Sequence, residues 1–274
     1  MKFRYLVPYI IIAVFQYQFA KDSLNYSSPL VVMGLRYLIA GSLLLLISRR
    51  FLFTKDLIIL SLLTTSSTVL WAYGLKSISP ADSAVLSYTM PLISIFTSWI
   101  VLKEKGTLTE VLGALIGFSG VAIFSIPLLT GFLLLGSLLT IANAVFWSLY
   151  SAYFRKMKEN DPISVVGSQF MLGSFYMLIL SPINFKLNFT NVLVIDLLYL
   201  SILAGAVQLL LWNLMLRKEK INTVTTSIFA VPALTMVVQS LETSKIPSAL
   251  SIIGVAIMFS GIYISQSLNR PKNP

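Results

Sequence analysis

The chain has 274 residues, of which 57% are hydrophobic and 11% are charged, against about 25% charged residues in an average soluble domain. It has no cysteine and no histidine, which excludes disulfides, thiolate nucleophiles and the usual zinc sites, and no cofactor is expected. The formal net charge of +10 lies mostly between long apolar runs, so we predict a protein whose main partner is the lipid bilayer, with no nucleic-acid partner.

Ten apolar segments follow one another along the chain, and each is long enough to cross about 30 Å of hydrocarbon as a helix. Proline, asparagine, aspartate and lysine residues separate them, as expected at helix ends. The segments are 3–20, 29–48, 56–76, 81–102, 107–126, 131–154, 162–183, 192–215, 221–241 and 247–267. The pattern predicts an all-α integral membrane protein, with residues 1–274 forming a single membrane domain. The first segment resembles a signal peptide but lacks a good cleavage site, so it is predicted to remain as a helix.

The Lys and Arg residues fall unevenly between alternate connections. Fifteen lie at the chain ends and in one set of loops, and four lie in the other set, namely Lys21, Lys76, Lys186 and Lys245. Positively charged loops are retained on the cytoplasmic side. The distribution predicts a multi-pass protein of the plasma membrane with cytoplasmic N- and C-termini, which agrees with an even number of spans.

The sequence contains an internal repeat. A shift of 141 positions places one set of landmarks on another: Trp71 on Trp212, Pro91 on Pro232, Gly113 on Gly254, and Phe118-Ser119-Gly120 on Phe259-Ser260-Gly261. Shorter matches at other offsets extend the repeat to the first helices of each half, as in Pro29 with Pro162. The prediction is two five-helix repeats, 1–127 and 128–274. Five spans are an odd number, so the repeats are inverted, as in secondary transporters that bind a small molecule between two rocking halves.

These landmarks resemble the drug/metabolite transporter superfamily, and within it the ten-helix exporters of the EamA type. The resemblance rests on the spacing from Pro29 to Arg36, the Trp71 region with Pro80-Ala81, Pro91, Lys103-Glu104, and the stretch from Gly113 to Gly120. It implies a central cavity enclosed by spans 1 to 4 and 6 to 9, with spans 5 and 10 at the side. It also implies export of amino acids, other small metabolites or drugs. The chain departs from the pattern at Gln16-Tyr17, where members often have Trp-Gly, and at Lys245, which occupies the register of Glu104.

Arg36 is the one basic residue well inside a predicted span, about 10 Å from the outer end of the second helix by helical rise. An intramembrane charge is costly and suggests function. Two interpretations stay open: a structural lock onto helix-end carbonyls or a carboxylate such as Asp22 or Asp82, and a substrate contact. The acidic residues lie at helix ends, and only Asp196 lies slightly inside a span. This pattern favours facilitated movement or exchange, or proton coupling at a peripheral acid.

Polar and aromatic residues inside the spans are the candidates for substrate binding. They are Gln16, Arg36, Trp71, Ser87, Tyr88, Asn143, Trp147, Gln169 and Trp212. Asn143 and Trp147 are four residues apart in mid-helix, whereas Trp71 near a span end is also typical of an interface anchor. Such a lining suits a neutral, zwitterionic or aromatic solute, because a phosphate-bearing anion would need several convergent Arg or Lys groups.

Prolines and glycines predict two further features. Pro91 and Pro232 each free a backbone carbonyl in mid-span, which predicts a gating bend or a structural kink. The glycines Gly113, Gly117, Gly120, Gly254 and Gly261 favour close helix packing, and a homodimer contact is a weaker hypothesis.

The sequence therefore predicts a secondary transporter that exports or exchanges small metabolites by alternating access. The favoured substrates are amino acids or other neutral or aromatic solutes. The alternatives are a lipid-like or drug-like flippase or exporter, an exchanger of nucleotide sugars or sugar phosphates, and a passive channel. An enzyme would need a nucleophile with its base, or a metal site, and no catalytic or metal-binding residue is predicted.

Overall fold

The computed structural model describes residues 3–103, 107–129, 131–219, 221, 224–225, 228 and 230–267. Within these ranges the chain is helical and forms no β-strand, only an isolated bridge between Ser27 and Leu187. The predicted all-α class is confirmed. Glu104, parts of the ninth predicted span and both chain ends lie outside the described residues.

Twelve α-helices can be numbered in chain order within the described ranges. They are α1 (Phe3–Tyr26), α2 (Pro29–Ser48), α3 (Lys55–Ser77), α4 (Pro80–Ser87), α5 (Met90–Leu102), α6 (Leu108–Ser125), α7 (Gly131–Phe154), α8 (Pro162–Leu180), α9 (Asn191–Leu198), α10 (Gln208–Lys218), α11 (Ala230–Thr243) and α12 (Ala249–Ser267). A π-helix, Tyr199–Val207, joins α9 to α10.

Seven stretches of the described chain are long and apolar enough to cross a membrane. They are Pro29–Ser48, Lys55–Ser77, Pro80–Leu102, Leu108–Leu128, Leu133–Met157, Pro162–Asn184 and Asn191–Lys218. The helix α12 carries a shorter apolar stretch, Ala249–Gly261. Helices of this length and composition are those of a multi-pass membrane protein.

Local side chains fix where several of these helices begin. The Thr54 hydroxyl accepts a hydrogen bond from the backbone N–H of Leu57 at the start of α3. The Asp161 carboxylate accepts one from the backbone N–H of Ser164 at the start of α8. These caps satisfy N–H groups that have no partner inside the first helical turn.

The fourth predicted span, 81–102, is broken in the structure. Helix α4 ends at Ser87, residues Tyr88 and Thr89 form a turn, and α5 begins at Met90. Pro91 explains the break, because it has no N–H to donate and its ring crowds the carbonyl four residues before it. Proline in the first turn of α5 is then well tolerated.

The π-helix lies in the middle of the eighth predicted span, 192–215, where the sequence pattern predicts an ordinary helix. Such segments are rare and often lie at functional sites. A Cβ added at Gly205 would come within 2.9 Å of the Leu200 carbonyl oxygen. A small residue is therefore needed at this position.

Helices α6 and α12 pack against each other through their backbones. A Cβ at Gly120 would overlap the backbone of Gly254 and Met258, and one at Gly261 would overlap the backbone of Gly113 and Gly117. The glycine faces are thus occupied within the chain. Elsewhere α2 packs along α8, and α3 packs along α7.

Candidate functional site

A cavity of about 100 Å³ lies inside the helical bundle. Helices α1, α2, α3, α4, α5, α7, α8 and α10 contribute to its walls, together with the π-helix. Its lining consists of Tyr9, Gln16, Tyr17, Arg36, Tyr37, Thr64, Ser67, Thr68, Trp71, Ser87, Tyr88, Met90, Asn143, Trp147, Phe170, Ala204, Gln208, Leu209, Trp212 and Ile228. We call residues Tyr9 to Met90 of this set the first-half wall, and residues Asn143 to Ile228 the second-half wall.

Eight of the nine residues predicted for substrate binding line this cavity. They are Gln16, Arg36, Trp71, Ser87, Tyr88, Asn143, Trp147 and Trp212. Gln169 does not line it. The Gln169 side chain is fully buried, and its Nε2 donates to the Tyr150 hydroxyl at 3.4 Å. Its backbone carbonyl accepts from Ser61 Oγ at 2.9 Å, so Gln169 joins α8 to its neighbours.

Aromatic rings form much of the second-half wall. Trp147 stacks on Tyr150 with ring centroids 5.1 Å apart and lies 5.9 Å from Trp212. Trp212 is fully buried, and its Nε1 donates to Ser151 Oγ at 3.2 Å. Ring contacts of this kind stabilise by about 0.5–1.5 kcal/mol beyond the buried area, so the wall is both apolar and ordered.

Trp71 lies inside the bundle and does not act as an interface anchor. Only 6% of the residue is exposed, and its ring makes an edge contact with Tyr17 at a centroid distance of 5.5 Å. On the opposite side, Tyr37 packs on Phe170 at 4.1 Å. The rings of both halves therefore face one space.

Asn143 connects three helices at the edge of the cavity. Its Oδ1 accepts from Ser67 Oγ of α3 at 2.6 Å, and its Nδ2 donates to Ser87 Oγ of α4 at 3.0 Å. Because both ends of the amide are engaged, its orientation is fixed. Asn143 thus holds the end of α4 beside α3 and α7.

Arg36 is buried in the first-half wall, with 7% of the residue exposed. One terminal nitrogen donates to the Ala204 carbonyl oxygen of the π-helix at 2.7 Å, and the other lies 3.8 Å from Met33 Sδ. Its guanidinium carbon is 5.8 Å from the centroid of the Trp71 ring. Among the described residues neither Asp22 nor Asp82 pairs with it; the partner is a backbone carbonyl.

Three fully buried polar atoms of lining residues make no hydrogen bond within the described protein. They are Arg36 Nε, Trp71 Nε1 and Gln208 Oε1. Trp71 and Gln208 are each 6% exposed. Buried polar groups are normally hydrogen-bonded, and those that are not call for an explanation. The lining residues therefore carry two N–H donors and one acceptor that the described protein leaves unused.

Twelve lining residues were not among the predicted site residues. They are Tyr9, Tyr17, Tyr37, Thr64, Ser67, Thr68, Met90, Phe170, Ala204, Gln208, Leu209 and Ile228. Helical spacing could have found some, because Ser67 and Thr68 lie one turn before Trp71. The offset of 141 in the internal repeat then relates Ser67 to Gln208 and Thr68 to Leu209. Ala204 contributes its carbonyl, which no side-chain pattern reveals.

Both prolines singled out in the sequence lie next to the cavity. Ser87, Tyr88 and Met90 line it just before Pro91. Ile228, in a turn before α11, lines it just before Pro232, the third residue of that helix. Irregular backbone at membrane depth is tolerated where it borders a cavity, and both turns meet that condition.

Comparison with known proteins assigns the family. The model of the EamA-like transporter family matches residues 6–126 and again residues 134–266. The chain is 46% identical over 234 residues to an uncharacterized transporter in the sor 3' region of Acidianus ambivalens, covering 85% of this chain and 92% of the relative. It is 28% identical over 268 residues to the uncharacterized transporter YvbV of Bacillus subtilis (strain 168), covering 92% and 87%.

The fold is also shared with a protein of known structure. A crystal structure that is 17% identical in sequence superposes with a TM-score of 0.77 over 97% of each chain. At that identity the likeness concerns the fold alone. Together with the two family matches and the apolar helices, it accounts for nearly the whole chain. The chain belongs to the EamA-like transporter family of the drug/metabolite transporter superfamily, and it is a multi-pass membrane transporter.

Proposed function

We propose that this protein is a secondary transporter that exports or exchanges small metabolites by alternating access around the central cavity. Amino acids and other neutral or aromatic solutes are the preferred substrates. The observation that carries the proposal is the repeat relation between the two walls. Four pairs of lining residues are separated by 141 positions: Ser67 and Gln208, Thr68 and Leu209, Trp71 and Trp212, and Ser87 and Ile228.

A cavity built from equivalent positions of two halves is what inverted repeats produce at their interface. The relation supports two repeats, 1–127 and 128–274, and the two separate family matches support the same division. Ten spans then include α1 and the segments 221–241 and 247–267. With Lys and Arg retained inside, we place both termini in the cytoplasm and the protein in the plasma membrane.

The size and charge of the cavity support a small metabolite over the alternatives. A volume of about 100 Å³ is below the roughly 300–1,000 Å³ of pockets for drug-sized ligands. This disfavours a lipid-like or drug-like substrate in the state described. Among the lining residues that the structure describes, Arg36 is the single charged side chain. A nucleotide sugar or sugar phosphate would need more cationic groups around its phosphates.

The lining also supports exchange or facilitated movement over proton coupling inside the cavity. The described lining residues include no Asp, Glu, His or Lys, and tyrosine and arginine do not ordinarily change charge between roughly pH 6 and 8. We expect the counterflow rate to be nearly constant across that range. A steep dependence on pH would instead point to an acid outside the cavity lining, such as Asp196, which is buried on α9.

Counterflow in proteoliposomes tests the proposal. Vesicles are loaded with a mixture of amino acids and other small metabolites, and each labelled compound is followed with and without an imposed pH gradient. Saturable uptake that depends on internal solute would support a carrier and exclude a passive channel. If folded protein exchanges no compound of the mixture, the proposed substrate class is wrong.

A further inference from the structure

Arg36 lacks the partner that a buried cation normally has. An ion moved out of water is stabilised only by a counter-ion and further hydrogen bonds, and intramembrane charges usually pair. The structure gives Arg36 one carbonyl, Ala204 O at 2.7 Å, and one long contact to Met33 Sδ. A carbonyl is a neutral acceptor that satisfies one N–H, and the Trp71 ring lies 5.8 Å from the guanidinium carbon, so Arg36 has contacts but no counter-ion among the described residues. No carboxylate of the described chain pairs with it.

The unused donors of this region lie together. Neither Arg36 Nε nor Trp71 Nε1 has an acceptor among the described residues, and the guanidinium carbon is 5.8 Å from the Trp71 ring centroid. A carboxylate has two oxygens that can each accept several hydrogen bonds and can bind a guanidinium in a bidentate manner. An oxyanion placed between these donors would neutralise Arg36 and satisfy both nitrogens.

The unused acceptor lies on the helix that holds Arg36 in place. Gln208 is four residues after Ala204, about one helical turn along the same continuous helix, and its Oε1 has no donor in the described chain. An ammonium group carries three N–H donors and also binds favourably to aromatic faces such as those of the tryptophans in the lining. The cavity therefore offers donors for a carboxylate and an acceptor for an amine.

We propose that the substrate is a zwitterionic amino acid whose carboxylate binds Arg36 and Trp71 and whose ammonium group binds Gln208. This inference rests on the proposed transport function and names its substrate class. In the absence of substrate the Ala204 carbonyl accepts a hydrogen bond from one guanidinium nitrogen of Arg36. The carboxylate takes over this donor when the substrate binds. Arg36 then selects against amines and amides that lack the negative charge.

Matched pairs of solutes test the role of Arg36. Alanine, serine and phenylalanine are compared with their carboxamides, which keep the shape and lose the carboxylate. In counterflow the wild-type protein should prefer each amino acid to its amide by at least about tenfold, the effect of about 1.4 kcal/mol of charge-assisted bonding. Arg36→Gln should abolish this preference. Arg49→Gln removes a positive charge from the exposed end of the same helix and should keep it.

Two further variants guard against a folding defect. Arg36→Lys retains the charge and should keep part of the preference for the carboxylate. Gln208→Leu should reduce the preference for phenylalanine over 3-phenylpropionate, which lacks the ammonium group, and should leave the preference over the amide intact. Thermal unfolding in detergent shows which variants are folded, and the amino acids should raise the unfolding temperature of the wild-type protein more than their amides do.

The results separate this inference from the transport function. If the amide exchanges as well as the amino acid, or if Arg36→Gln keeps the preference, Arg36 is a structural lock and the inference is overturned while transport stands. If metabolites of another class exchange and amino acids neither exchange nor stabilise the protein, the inference is also overturned. If no compound exchanges from folded protein, the proposed function itself fails.

Discussion

The first-half and second-half walls of the cavity use equivalent positions for different chemistry. Arg36 corresponds to Gln169 by the offset of 133 that relates Pro29 to Pro162. Arg36 lines the cavity with an unused donor, whereas Gln169 is fully buried behind the wall and bonded to Tyr150. In the proposed site, two positions that the internal repeat makes equivalent therefore differ in charge and in access to the cavity.

The hydrogen bonding of the two halves differs in the same sense. Tyr150 donates to Asn213 Oδ1 at 2.9 Å and Trp212 donates to Ser151 at 3.2 Å, so the Nε1 of Trp212 has an acceptor within the protein. Trp71, equivalent to Trp212, leaves its Nε1 without a protein acceptor. We infer that the first half binds the carboxylate of the solute, whereas the second half contributes the Gln208 acceptor and the buried aromatic rings.

The largest effect is expected from the tryptophans of the second-half wall. Trp212→Ala should destabilise the protein by about 3–5 kcal/mol, because the side chain is fully buried and hydrogen-bonded. Trp147→Ala should cost less stability, since Trp147 is half-buried, but should weaken transport several-fold. Thermal unfolding and counterflow kinetics check the pair. Unchanged kinetics in folded Trp147→Ala would remove Trp147 from the site.

Gln169 should behave differently from its equivalent, Arg36. Gln169→Leu should lower the free energy of unfolding by about 1–3 kcal/mol, because Tyr150 loses a partner in a buried region. It should leave the preference for amino acids over amides unchanged. Unfolding in detergent and the amide comparison measure both quantities. A changed preference in this variant would show that the second half also contributes to recognition of the carboxylate.

Asn143 allows a smaller test of how the two halves are joined. Asn143→Leu removes the partner of both Ser67 and Ser87, with an expected loss of about 1–3 kcal/mol. Ser87→Ala, which removes one bond, should cost about 0.5–1.5 kcal/mol. Thermal unfolding of both variants and of the double variant checks this. Additive losses would contradict a shared network, since coupled partners are non-additive.

The smallest effect is expected from the prolines. Pro91→Ala restores an N–H and should favour a continuous helix across the turn at Tyr88, slowing transport a few-fold with little loss of stability. Pro232→Ala should change transport less. The turn before Pro91 is tied to α7 through the hydrogen bond between Ser87 and Asn143. The turn before Pro232 has Ile228 at the position equivalent to Ser87, and an apolar side chain cannot make such a bond. Counterflow rates measure both. A larger effect at Pro232 would place the moving element in the second half.

The helical membrane fold could be predicted from sequence, because the thickness of the bilayer sets the length of each apolar segment. The cavity position of Trp147 and Asn143 followed from mid-helix spacing. The burial of Trp71 did not, because a tryptophan near a span end fits an interface equally well. The π-helix could not be predicted, since the register of its backbone hydrogen bonds depends on tertiary packing. The role of the Ala204 carbonyl could not be predicted either, because every residue has a backbone carbonyl.

The glycine contact between α6 and α12 has a practical consequence for following this transporter at work. Two helices whose backbones touch cannot slide or tilt apart without opening a void, so they should travel as one body. The chain has no native cysteine, so labels can be introduced at chosen sites. Spin labels at Leu115 and Ile253, exposed positions on these two helices, should give an interspin distance that ligand leaves unchanged. That constant distance would be the reference against which displacements of α4 and α11 are measured.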